Sequence, residues 1–92
     1  MITKNITRYV VTAADYGFGT DGKARVLGHF RTYDEAVGYV KADMLAHKNY
    51  HKDENFDYDM TRFDAWDEDD PSYGCGWNIE ECKIEVDLSL AE

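Results

Sequence analysis

Thr32-Tyr33-Asp34-Glu35 constrains this chain more than any other feature, because it fixes where a helix must begin. A Thr followed three residues later by Glu, ahead of an apolar-periodic run, is a capping box. The Thr32 hydroxyl accepts from the Glu35 amide, and the Glu35 carboxylate reaches back to the Thr32 amide. Asp34 and Glu35 also suit the positive end of the helix dipole. Tyr33, Val37, Val40, Met44 and His47 then recur at helical spacing, with Ala36 and Leu45 beside them. This predicts one amphipathic helix from Tyr33 to about Lys48, with Asp34, Lys41 and Lys48 on the wet side.

The flanking segments read as strands. Residues 6–14 and 24–31 are β-branched and aromatic, and the intervening residues 15–23 carry three glycines. Two strands joined by a loop are expected there, most simply as a hairpin. After the helix, Phe56, Tyr58 and Met60 alternate with Asp57, Asp59 and Thr61. Beyond Thr61 the apolar phase shifts to Phe63 and Ala65. The last segment does the same: Trp77 and Ile79 hold one phase, Cys82, Ile84, Val86 and Leu88 the other. Pairing these two segments antiparallel sets Phe56 against Val86, Tyr58 against Ile84, Met60 against Cys82, Phe63 against Ile79 and Ala65 against Trp77. A one-residue slip would oppose apolar and acidic positions. The pattern therefore predicts a long hairpin with a bulge or strong twist at the phase change.

The expected fold is α+β, ββαββ: a four-stranded, mainly antiparallel sheet with one helix packed on one face. With 92 residues and no long linker or repeat, residues 1–92 form a single domain. No apolar run approaches the ~18–20 residues of a membrane span, and the N-terminus shows no secretory h-region. Two cysteines are too few for a disulfide scaffold, so a cytoplasmic setting is expected.

Several motifs reduce to ordinary structure. Gly17 to Gly22 fits G-x-G-x-x-G but leads into a strand, so it reads as a hairpin loop needing positive φ rather than a pyrophosphate cradle. His47 and His51 have a helical metal-ligand spacing, and Cys75 and Cys82 would complete four ligands. The cysteine spacing is not that of a zinc knuckle, however, and Cys82 sits at a core position. Asp69, Gly74 and Glu80 match positions 1, 6 and 12 of a calcium loop, but Pro71 and Tyr73 occupy ligand positions. No metal, cofactor or catalytic residue is assigned, and a non-enzymatic protein is expected.

The charge distribution is the strongest functional signal. Residues 1–52 hold 8 basic and 5 acidic side chains; residues 53–92 hold 2 basic and 14 acidic. Direct nucleic-acid binding is thereby disfavoured, since phosphates attract Lys and Arg. Strand alternation places Asp57, Asp59, Glu81, Glu85 and Asp87 on the face away from the helix. Asp67, Glu68, Asp69 and Asp70 extend the charge past the hairpin tip, where Trp66, Tyr73 and Trp77 suit an interface. Arg8, Arg25, His29 and Arg31 would blunt that field where they share the face.

The stretches Gly28-His29-Phe30-Arg31-Thr32-Tyr33-Asp34-Glu35-Ala36 and Trp77-Asn78-Ile79-Glu80-Glu81-Cys82-Lys83-Ile84-Glu85-Val86 resemble small orphan phage proteins. In size, acidity and layout the chain resembles the phage-encoded inhibitors of bacterial defence, anti-CRISPR proteins above all. The resemblance implies a mode of action and no residue roles. A stoichiometric inhibitor would place carboxylates where phosphates go, in the basic groove of a bacterial nucleic-acid-binding protein or CRISPR effector complex. The candidate contacts are Asp57, Asp59, Asp64, Trp66, Asp67, Glu68, Asp69, Asp70, Tyr73, Trp77, Glu80 and Glu81. A second reading is an accessory or oligomerising module, a homodimer included, that buries the aromatic tip. A third is a small metal- or thiol-dependent enzyme using Cys75 and Cys82.

Overall fold

The computed structural model describes residues 3–17 and 19–87. Their order is β1 (Thr3–Tyr16), β2 (Arg25–Phe30), α1 (Tyr33–Tyr50), β3 (Phe56–Asp59), β4 (Asp64–Asp67) and β5 (Gly74–Asp87). The architecture is α+β, with one helix on an antiparallel sheet. The sheet has five strands in the order β2-β1-β5-β4-β3, one more than the alternation suggested.

The first half follows the sequence closely. β1 and β2 form a hairpin, with Tyr9 opposite Phe30 and a bulge between Val11 and Thr12. In the connecting loop Gly17, Gly19 and Gly22 all take positive φ, as a glycine-rich turn requires. At the helix start Thr32 accepts from the Glu35 amide at 3.1 Å. The helix runs two residues past Lys48, to Tyr50, where the His51 amide still donates to the His47 carbonyl. Its core-facing residues are Ala36, Val40 and Met44. Tyr33 and Leu45, expected beside them, are exposed.

The second half departs from the expected register. The alternating run from Phe56 does not pair with the end of the chain; it folds back on itself. β3 pairs β4, with Phe56 opposite Asp67 and Asp59 opposite Asp64. The phase change at Thr61 is a tight turn, not a bulge in a long strand. Asp59 Oδ1 accepts from the Thr61 amide, the Thr61 hydroxyl and the Arg62 amide at 3.0, 2.7 and 3.1 Å. Phe63 completes the reversal at φ 59°, an unusual conformation for a bulky residue. It is held there by packing on the core and by its carbonyl, which accepts from the Trp77 amide.

β5 instead pairs β1 along its whole length, from Thr3 opposite Asp87 to Tyr16 opposite Gly74. Cys82 therefore faces Arg8 rather than Met60, and Ile84 faces Ile6 rather than Tyr58. β4 reaches β5 only at its start, with Asp64, Ala65 and Trp66 opposite Gly76, Cys75 and Gly74. Leu88, read with the last strand's apolar phase, lies outside the described residues.

The core lies between the helix and one face of the sheet. Val11, Ala13, Ala65, Cys75 and Trp77 meet Ala36, Val40 and Met44, with Tyr9, Leu27, Phe30, Tyr58 and Ile79 around them. Burying a side chain such as Met44 contributes roughly 1.5–3 kcal/mol. Among the described residues, the opposite face of the sheet, here the open face, carries no helix. Two 14-residue strands make the molecule long: its extents are 56 × 24 × 19 Å. Its radius of gyration is 16.7 Å, where a compact chain of this size would have about 12 Å.

Candidate functional site

The acidic residues gather at the end of the molecule formed by β3, β4 and the start of β5. On β3, Phe56 and Tyr58 turn to the helix, since both rings contact His47. Asp57 and Asp59 therefore point to the open face, as their alternation predicts. The β3–β4 register sets Asp57 across from Trp66 and Asp59 across from Asp64 on that face. Two carboxylates directly opposed on neighbouring strands repel one another. Asp59 is held below the usual carboxylate range by its hydrogen bonds from Thr61 and Arg62. The Asp64 carboxylate lies over Gly76.

Beyond β4 the chain turns sharply. The Glu68 amide donates to the Asn55 carbonyl at 2.8 Å, which brings Glu68 back beside β3. There its carboxyl is pushed above its ordinary range, first by a hydrogen bond with Asp57 and then by the charges of Asp57, Asp69 and Asp67. Asp67 accepts from the Asp69 amide, and Asp70 from the Ser72 amide. These carboxylates thus serve the local turns while remaining at the surface. Among the described residues the ion pairs are Arg25–Asp15 and His51–Glu54, and neither involves a candidate acid.

Two expected contacts, Trp77 and Glu81, are placed differently. Trp77 is not an interface anchor: it is 5% exposed, and its indole N–H donates to Asp43 of the helix at 2.8 Å. Register explains this, because Trp77 lies opposite Ala13 on the helix face instead of at a hairpin tip. Glu80 and Glu81 fall on opposite faces, because β5 runs from Gly74 to Asp87 without a bulge. Glu80, opposite Val10, joins the open face. Glu81 and Glu85 keep the phase of Trp77 and Ile79, contrary to the shift expected. Tyr73 is 39% exposed and Trp66 is half-buried, so both stay at the acidic end.

On the helix side of this end lies a cavity of about 190 Å³ lined by Asp15, His47, His51, Phe56, Tyr73, Gly74 and Cys75. His47 Nδ1 is 2.7 Å from the Tyr58 hydroxyl, and the His47 and His51 ring centroids are 4.3 Å apart. Burial, then the neighbouring His51, lowers the His47 pKa, while Asp15, Asp43 and Glu54 act in the other direction. Burial also pushes the Cys75 thiol up to about 12. A thiol in that state is almost wholly protonated at neutral pH and is a poor nucleophile. Cys82, opposite Arg8, is remote in register from Cys75. Among the described residues, no three His, Cys, Asp or Glu side chains are placed to hold a metal ion.

A second cavity, of about 450 Å³, is lined by Arg8, His29, Phe30, Arg31 and Glu35. The sequence offered Arg8, Arg25, His29 and Arg31 as neutralisers of the acidic face; Arg25 pairs instead with Asp15 at 3.3 Å. The registers keep Arg8 and His29 on the open face, with Val10 between His29 and Glu80 and Arg8 opposite Cys82, but on β1 and β2, away from β3 and β4 in the sheet order.

Among the described residues, no helix is long and apolar enough to cross a membrane. Comparison with known proteins found no matching family model, curated protein or solved structure.

Proposed function

We propose that the chain is a non-enzymatic inhibitor of the anti-CRISPR type, acting by binding. Its acidic end docks in the cationic groove of a bacterial protein complex that handles nucleic acid, and keeps DNA or RNA out. One observation carries this reading: the Glu68 amide donates to the Asn55 carbonyl at 2.8 Å, which sets Glu68 beside β3 and its Asp57, and neither these two nor Asp67 and Asp69 have a Lys or Arg at ion-pair distance among the described residues. Like charges held this way disfavour the free protein, and a cationic surface would relieve the repulsion. Asp59, Asp64 and Trp66 extend the surface over the open face, and Tyr73 flanks it as an aromatic contact. Glu80 belongs to the same face; Trp77 does not take part.

The test is reversal of Asp67, Glu68, Asp69 and Asp70 to lysine. Inhibition of a CRISPR effector or other bacterial nuclease should be lost, and the salt dependence of binding should flatten. Full inhibition by a folded variant would end the reading. Substitution of Trp66 and Tyr73 with the acids intact separates it from an interface held by aromatic burial, whose binding would persist at high salt.

A further inference from the structure

Among the described residues, nothing pairs with the outer edge of β5 over most of its length. β4 flanks it only as far as Gly76, and the Trp77 amide is taken by the Phe63 carbonyl at 2.9 Å. Among the described residues, the only strand beside β5 from there to Asp87 is β1, on its other side. Because the Trp77 N–H points outward, strand alternation turns the N–H and C=O groups of Ile79, Glu81, Lys83 and Glu85 outward too. An unpaired edge of this length is a template for another strand.

We propose that this edge pairs with its own copy. Two chains join antiparallel through β5 about a two-fold axis at Cys82, making one continuous sheet across the dimer. A two-fold axis normal to the sheet keeps each face with its like, so the strands can slide only in steps of two residues. Centring on Cys82 overlaps the whole described free stretch, since Cys82 is midway between Trp77 and Asp87. It also fits the charges. Glu81 falls opposite the second copy's Lys83, twice over by symmetry, and Glu80 falls opposite Ile84. No like charges are directly opposed between Ile79 and Glu85. Centring on Glu81 would oppose two Glu81 side chains, and centring on Lys83 would oppose two lysines. Centring on Ile84 keeps a Lys83–Glu85 pair but opposes Glu81 with Asp87. Lys83 is the sole cation on β5, and this register gives it an acidic partner.

The two Cys82 residues then form a directly opposed, non-hydrogen-bonded pair, with Cα atoms about 4.5 Å apart. That lies within the range of about 4.4–6.8 Å that a disulfide spans. Cys82 is therefore a reporter of register. The full chain, treated with diamide, should run as a covalent dimer without reductant. The azo reagent takes up the two electrons and two protons as the thiols join. Cys82→Ser should abolish the product and Cys75→Ser should retain it. Under reducing conditions, sedimentation should show a non-covalent dimer. Glu81→Lys or Lys83→Glu alone should weaken it roughly tenfold, and the double swap Glu81→Lys with Lys83→Glu should restore it. A protein that sediments as a monomer overturns the proposal, as does a dimer that the charge swap fails to restore. In a Cys82→Ser background, efficient crosslinking through Ile84→Cys in place of the Cys82 product would overturn the register.

Discussion

The indole N–H of Trp77 donates to the Asp43 carboxylate at 2.8 Å, tying the middle of the sheet to the helix. Trp77 also meets His47 edge-on, with ring centroids 5.6 Å apart. One side chain thus fills the core and directs a polar atom to the helix rim. Trp77→Phe should keep most of the packing and lose the hydrogen bond to a charged acceptor, at about 2 kcal/mol. Asp43→Asn keeps an acceptor and should cost less. Urea unfolding at neutral pH measures both, and equal midpoints for wild type and Trp77→Phe would show that the bond contributes nothing.

Trp77 also shows where the sequence could be read and where it could not. Its alternation with Ile79 marked it as one face of a strand, which is correct. What one strand cannot state is its neighbour. Both β1 and the Phe56 segment offered apolar alternation to β5, and the complementary phase shifts at Thr61 and Ile79 favoured the second. The Asx turn at Asp59 and the positive φ of Phe63 decided otherwise. Neither leaves a glycine or proline in the sequence. The helix was legible because its cap, its period and its first-turn acids are all local. The acidic end was legible for a similar reason: Asp57, Asp67, Glu68, Asp69 and Asp70 are close in sequence as well as in space. Glu81, whose face depends on β5 running without a bulge, was not.

Gly74 lies where β4, β5 and the Tyr16 ring converge. A Cβ there would sit on the Ala65 carbonyl oxygen and the Tyr16 hydroxyl, which themselves share a hydrogen bond of 3.1 Å. The ladder contact is backbone and cannot yield as a flexible side chain would. Gly74→Ala should therefore cost roughly 3 kcal/mol and separate β4 from β5. Thermal unfolding and hydrogen exchange of the β4 amides test this; an unchanged melting temperature would contradict the close approach.

His47 gives the stability a pH dependence of known sign. Its folded pKa is lowered by burial and by His51, below the unfolded value of about 6.5. The unfolded chain then binds more protons as pH falls, so this contribution is complete above about pH 6.5 and is lost progressively on acidification through that value. Below the folded pKa the loss levels off. Imidazole titration by NMR should place the His47 midpoint under that of a free histidine. Tyr58→Phe should preserve the burial and hence the direction. A raised His47 midpoint would refute the assignment.

Cys75 should behave as an inert core thiol. With its pKa near 12 and 3% of its surface exposed, it has neither thiolate nor access. In a Cys82→Ser variant, native protein at pH 8 should react with a disulfide reagent only at the rate of global or local opening. Urea should release one fast-reacting thiol. Rapid stoichiometric reaction in native buffer would show that the β4–β5 junction opens far more readily than its packing implies.

At Glu68 and Asp57 the surface works against the fold. The Glu68 carboxyl is raised by Asp57 and its acidic neighbours, so ionising it is harder in the folded chain than in the unfolded one. Stability from this group grows as pH falls through the folded pKa and is absent at neutral pH, where both carboxylates are charged. Glu68→Gln removes the repulsion and leaves a hydrogen-bonding amide. It should raise the urea midpoint at pH 7 in low salt, and the gain should shrink as salt screens the wild-type charges. The same substitution should weaken association with a cationic partner if these acids are kept for binding. A variant that is less stable at pH 7 would mean that the pair is favourable as built, and that no repulsion is stored there for a partner to relieve.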